Sequence, residues 1–75
     1  MFTRSGFNIY PRELERVVMA MPHVARAEVV AVAHPSKEND ILFRVWGHVT
    51  DAEVRRWCET RLSAYKQPTV VEINP

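Results

Sequence analysis

Along the chain, apolar positions fall into two stripes of helical period and several shorter runs of β-type character. Leu14, Val17, Val18 and Met21 recur at i, i+3, i+4 and i+7, while Arg12, Glu13, Glu15 and Arg16 fall mostly on the other side. That spacing predicts an amphipathic helix. Pro11 suits its first position, where a missing N–H costs nothing, and Pro22 stops it. Ahead of the helix, Ser5-Gly6 reads as a turn and Phe7-Asn8-Ile9-Tyr10 as a short extended piece, which leaves room for a short strand in front.

From Ala27 to Ala33 nearly every residue is small or β-branched and apolar. So short a run, bounded by His34-Pro35-Ser36, predicts a strand covered on both faces. The polar stretch from Pro35 to Asp40 reads as a six-residue link. Ile41 to Val49 reads as a second strand, with Ile41, Phe43 and Val45 alternating against Leu42, Arg44 and Trp46. An antiparallel hairpin follows from the short link. Thr50-Asp51-Ala52-Glu53 has the form of a capping box, opening a helix with Val54, Trp57, Cys58 and Leu62 on one face and Arg55, Arg56 and Glu59 outward. Pro68 lies past its end, and Val70-Val71-Glu72-Ile73 reads as a closing strand. The expected fold is therefore α+β with element order α-β-β-α-β. It is a two-layer sandwich in which two helices, each with one apolar face, cover a small three-stranded sheet made of the hairpin and the C-terminal strand.

Composition narrows what such a module can do. With 75 residues, 47% apolar and 25% charged, residues 1–75 form one domain that buries roughly 60% of its unfolded surface. An enclosed catalytic cleft is excluded on size. Ten basic side chains against nine acidic ones, spread evenly, lack the clustered excess that nucleic-acid binding requires. The longest apolar run, Val29 to Ala33, is far too short for a membrane span, and no secretory apolar segment follows Met1. A single cysteine cannot form an internal disulfide. A reducing, cytoplasmic setting is the expectation, with no nucleic-acid or membrane partner.

Candidate chemistry is sparse. His23, His34 and His48 lack ligand spacing with one another or with Cys58, so no metal site is expected. Cys58, next to Trp57 on an apolar helix face, reads as a buried inert thiol. Arg55 and Arg56 read as a solvated pair, with contact to an anionic ligand as the alternative. Gly6 and Gly47 are the only glycines, which excludes a glycine-rich phosphate loop. Glu13 and Glu15 read as first-turn acids that favour the helix dipole, and Tyr10 and Trp46 as core or edge packing.

One stretch says more. Ser5-Gly6-Phe7-Asn8-Ile9-Tyr10-Pro11-Arg12-Glu13-Leu14-Glu15 resembles a motif of the adenylate-forming enzymes, the superfamily of acyl-CoA and aryl-CoA synthetases, peptide-synthetase adenylation domains and luciferases. In that motif a Gly, an aliphatic residue, a Pro and Glu-aliphatic-Glu open a helix, the places held here by Gly6, Ile9, Pro11, Glu13, Leu14 and Glu15. Pro22-His23-Val24-Ala25-Arg26-Ala27-Glu28-Val29-Val30 resembles the family's passage from helix to strand. Thr50 to Leu62 is similar to its second helix, and Ala64-Tyr65-Lys66-Gln67-Pro68 to its Tyr-Lys-x-Pro turn. Nearly the whole chain is covered, in order.

The resemblance implies a small C-terminal domain, a mobile lid on a much larger N-terminal adenylation domain in the same or a separate chain. The parent it implies first is an ATP-dependent carboxylic acid–CoA ligase, using ATP, magnesium and CoA to form an acyl-adenylate and then a thioester. It assigns Ser5, Gly6, Phe7 and Asn8 to the face that lines the pantetheine tunnel, where a glycine backbone leaves space for a thin arm. Lys66 becomes a candidate for contact with phosphate or with the partner domain. Some features depart from the family. Thr3 stands where a lysine is frequent, and Asn39-Asp40 where Gly-Glu is common. The hinge would lie before Met1, and the loop with the adenylation lysine would lie after Pro75; Lys66 comes too early to be that lysine. No catalytic residue is therefore expected, the isolated chain should be inactive, and any binding of CoA should be weak. The alternative is a stand-alone, non-catalytic module that pairs with an adenylating domain or a carrier protein. An unrelated ferredoxin-like domain is supported by element order alone.

Overall fold

A computed structural model describes residues 1–34 and 37–75. Two three-residue strands, β1 (Phe2–Arg4) and β2 (Phe7–Ile9), pair antiparallel around Ser5-Gly6. Helix α1 (Pro11–Met19) follows. Pro11 occupies its start and the Tyr10 carbonyl accepts the Glu13 N–H at 3.0 Å, so the proline ring and a backbone bond stand in for a side-chain cap. The long strands β3 (Val24–His34) and β4 (Lys37–Gly47) pair antiparallel, with Val29 opposite Phe43 and Ala31 opposite Ile41. Helix α2 (Asp51–Glu59) carries the full capping box: Thr50 Oγ1 accepts the Glu53 N–H at 3.2 Å, and Glu53 Oε1 accepts the Thr50 N–H at 2.9 Å. A 3₁₀ turn (Ala64–Lys66) leads to β5 (Val70–Asn74), which lies parallel to β4 and makes β4 the centre of a three-stranded sheet. The α+β sandwich and its element order are as the pattern predicts, with the small β1–β2 hairpin in front.

Both helices cover the same face, α1 over β3 and α2 over β5. Inward side chains of the sheet, Ala27, Val29, Ile41, Phe43 and Val45, close the core against Leu14, Val18, Val54 and Cys58. Ile9 reaches into the same cluster from the small hairpin and is fully buried. Burying Phe43 and the aliphatic residues stabilises the fold by about 1.5–3 kcal/mol for each large side chain.

Four expectations need correcting. Strand β3 is not covered on both faces, because its outward residues have no layer above them and Val32 remains 37% exposed. On that outer face Glu28, Arg44 and Glu72 stand in one row across the three strands, the arginine bonded to both carboxylates at 3.3 and 3.1 Å. Secondly, the polar stretch after His34 is mostly strand: Lys37 to Asp40 extend β4, while Pro35 and Ser36 lie outside the described residues. Cross-strand pairing to β3 outweighs the turn propensity of single polar residues there. Finally, α2 ends at Glu59, so Leu62 lies beyond the helix and not on its face; Tyr10, expected in core or edge packing, is 52% exposed at the entry to α1.

The passage from α1 to β3 is tight. His23 has φ 70°, and its carbonyl accepts the His48 N–H at 3.1 Å. A Cβ on Gly47 would stand 2.2 Å from the His23 carbonyl oxygen, a backbone atom fixed by that bond. Gly47→Ala should therefore lower stability by about 1–3 kcal/mol. Urea unfolding would show this as a lower midpoint at unchanged slope; an unchanged midpoint would contradict the close approach.

Candidate functional site

The hairpin turn has only two residues between the paired Arg4 and Phe7, and both take positive φ, Ser5 at 52° and Gly6 at 77°. This is the type I′ pattern, whose twist matches that of the flanking strands. Glycine takes such a conformation without strain, whereas serine has to be held there. Ser5 is held: its N–H donates to Glu38 Oε2 at 2.7 Å, and its hydroxyl donates to the same oxygen at 3.1 Å. A Cβ on Gly6 would meet nothing within 4 Å. Backbone conformation therefore favours the glycine, and the space beside it stays open.

Further contacts fix the hairpin to the body of the domain. Arg4 donates to the Asn39 carbonyl, and Asn39 Nδ2 donates to the Thr3 carbonyl at 3.3 Å, which ties β1 to the start of β4. On the β2 side, Phe7 stacks on Tyr65 with ring centroids 4.3 Å apart and planes 20° from parallel. Such a pair contributes about 0.5–1.5 kcal/mol beyond its area. Phe7 is nonetheless 53% exposed, and Ser5, Gly6 and Asn8 are exposed too. Asn8 pairs with Thr3 across the hairpin.

Lys66 lies beside this arrangement, with its side chain only 20% exposed. Its Nζ donates to Glu13 Oε1 at 2.6 Å and stands 5.6 Å from the Tyr65 ring centroid. The hydrogen bond to Glu13 raises the Lys66 pKa above its ordinary value, against a smaller opposing effect of burial. A raised folded-state pKa means the pair's contribution is complete below the ordinary lysine value and fades as pH rises through the folded one. The motif glutamates thus do more than favour a helix dipole. Glu13 neutralises Lys66, and Glu15 Oε2 accepts the Val29 N–H of β3 at 3.0 Å. Neither contact leaves a signal in local spacing, because the partners are 53 and 14 residues apart.

Of the two arginines read as outward, Arg55 is committed to structure. It pairs with Asp51 at 2.5 Å and donates to the Pro68 and Thr69 carbonyls at 3.1 and 3.3 Å, fastening α2 to the segment before β5. Arg56 is exposed and lines an open groove of about 370 Å³ with Met21, Glu53, Trp57, Thr60 and Arg61. That groove shares no residue with the hairpin site. Trp57 donates from Nε1 to the Val17 carbonyl at 2.7 Å and so joins the two helices. Trp46 is half-buried on the middle strand β4, under the Arg26 guanidinium at 4.7 Å. His23 and His48 are exposed; the side chain of His34 lies outside the described residues.

The fold has close counterparts among known proteins. A family model for the AMP-binding enzyme C-terminal domain matches residues 13–75. The chain belongs to that family. It is 36% identical over 77 residues to a long-chain-fatty-acid–CoA ligase of Escherichia coli, covering 96% of this chain and 13% of the relative. Identity reaches 42% over 65 residues with a 2-succinylbenzoate–CoA ligase of Bacillus mycoides, covering 84% of this chain and 14% of that protein. Among solved structures, apo MatB from Rhodopseudomonas palustris superposes with a TM-score of 0.87 at 28% identity, over 99% of this chain and 15% of that one. This C-terminal domain therefore spans about one-seventh of the length of the proteins it matches. The family match begins at Glu13, so the hairpin precedes it.

Cys58 is buried inside the domain, and burial pushes its thiol up to about 11 against the pull of Arg61 and Arg55. At pH 8 its thiolate fraction should be roughly a hundredfold below that of the unfolded chain. A thiol reagent should label the native domain only as it unfolds; labelling as fast as in denaturant would contradict this assignment.

Proposed function

We propose that this C-terminal domain is the mobile lid of an ATP-dependent carboxylic acid–CoA ligase. On this reading Ser5, Gly6, Phe7 and Asn8 form the face that lies along the pantetheine arm of CoA. The observation that carries the reading is the exposed I′ turn, with open space on the side of Gly6 where a side chain would begin. The membership of the chain in its family and the ligase relatives support it.

The parent reaction has two steps. A carboxylate attacks the α-phosphate of ATP, giving acyl-adenylate and pyrophosphate; the CoA thiol then attacks the acyl carbon and expels AMP. In the second step Gly6 keeps the wall of the path thin, and the Phe7 ring gives it an apolar side. Lys66 enters as half of an ion pair with Glu13, so it meets the partner domain as part of a neutral rim. A phosphate would have to displace Glu13 to reach it. Magnesium does not fit here, because the carboxylates of this site, Glu13 and Glu38, are bonded to Lys66 and Ser5. ATP and magnesium belong to the larger adenylation domain.

Titrating the isotopically labelled chain with CoA tests the reading. Chemical-shift changes should centre on Ser5 to Tyr10, with weak, millimolar-range affinity, and Gly6→Val should abolish them. No shift at millimolar CoA would sink the assignment. The chain alone should release no pyrophosphate from ATP with any carboxylic acid, and clear turnover would overturn its reading as a lid.

A further inference from the structure

A two-stranded hairpin with three residues per strand does not hold its shape by itself in water. The orientation of β1–β2 must therefore come from what it touches. One mooring is the start of β4, where Ser5 meets Glu38 and Arg4 meets Asn39. At the base of the hairpin, Ile9 is fully buried and Phe2, its cross-strand neighbour, packs against the same core, which makes a second. The third is the Tyr65 ring under Phe7. The first two hold the turn, the β1 edge and the base; the stack on Tyr65 holds the β2 edge and so opposes a roll of the hairpin about its own long axis.

Tyr65 itself lies in a 3₁₀ turn of three residues, which is short and has no side-chain cap. The neighbouring Lys66 ammonium bridges this turn to α1, lying over the Tyr65 ring and bonded to Glu13 at 2.6 Å. Glu13 stands in the first turn of α1, the helix that the hairpin runs into. Tyr65 packs partly against the core, and Gln67 Nε2 ties its turn to the Cys58 and Leu62 carbonyls at 2.9 and 2.8 Å; the Lys66 cation adds the direct link between that ring and the start of the helix that follows β2.

We propose that Lys66 and Glu13 form a positioning latch that sets the angle of the Ser5-Gly6 hairpin by holding Tyr65 beneath Phe7. Lys66 is then a positioning residue and not a ligand for phosphate. The latch belongs to the chain itself and stands whether or not Ser5 to Asn8 meets CoA.

Amide hydrogen exchange on the full 75-residue chain, without CoA, tests it. Lys66→Met and Glu13→Ala should each speed exchange at the amides of Phe2–Arg4 and Phe7–Ile9 roughly three- to tenfold, the effect of losing one partly sheltered charge-assisted hydrogen bond. Amides of β3 and β4 should keep their protection. The double variant should exchange no faster than either single one, because both remove the same bond. Lys66→Arg should retain most of the protection. Unchanged exchange in the hairpin, an equal loss in β3 and β4, or additive effects of the two substitutions would each overturn the latch. Glu13→Ala changes an exposed position, so the test survives even if Lys66→Met fails to fold.

Discussion

Ile41, Phe43 and Val45, the inward side chains of β4, are needed by every other element of the domain. β4 is the middle strand, bonded to β3 on one side and to β5 on the other. Its inward row shares one buried cluster with Leu14 and Val18 of α1 and with Val54 and Cys58 of α2. A chain of this size has enough apolar side chains to fill one layer between helices and sheet, and little beyond that. The outer face is left to other interactions. There Glu28, Arg44 and Glu72 make exposed ion pairs that contribute at most about 1 kcal/mol each, so the outer face adds register more than stability.

That division of labour decides where a site can be. Hydrophobic burial fixes α1, α2 and the large sheet, whereas the hairpin sends only Ile9 fully into the core. Phe2 packs partly against that core, and the rest of the hairpin is held by polar bonds to Glu38 and Asn39 and by one aromatic stack. An element held this way can present exposed backbone and still have a defined orientation, and it can be adjusted without disturbing the core. The acidic residues at the start of α1 belong to the same economy of parts: one secures the Tyr-Lys turn and the other meets an amide of the sheet.

What was legible in the sequence was local. The stripe of Leu14 and Val18, the capping box at Thr50 and the Ser5-Gly6 turn each arise from neighbours along the chain, and each is present, with Met21 buried just past the end of its helix. The alternation of Ile41, Phe43 and Val45 against Leu42, Arg44 and Trp46 likewise reports the true inner and outer faces of β4. The errors came from partners distant in sequence. The apolar run of β3 reads as doubly covered, yet nothing in it says that both helices choose one face. The polar residues from Lys37 to Asp40 carry turn character, and only pairing with β3 makes them strand. Arg55 reads as outward because its carbonyl partners, Pro68 and Thr69, lie past the end of its own helix. The site divided in the same way: the turn was visible from its own residues, whereas the joining of Lys66 to Glu13 depends on how α1 and the 3₁₀ turn meet.

The two glycines show how different constraints can select one residue type. Gly47 lies against the backbone at His23, and a Cβ there would strike a carbonyl oxygen held by a hydrogen bond. Its demand is for space, imposed by the packing of β3 on β4, and it serves the fold. Gly6 has space on every side within reach of a Cβ, and its demand is for a positive φ at the second position of a two-residue turn. Asparagine or aspartate would meet such a demand at modest cost. Folding alone therefore constrains Gly6 less than it constrains Gly47. If Gly6 has to be glycine for a further reason, that reason lies outside the domain, in whatever passes over the turn.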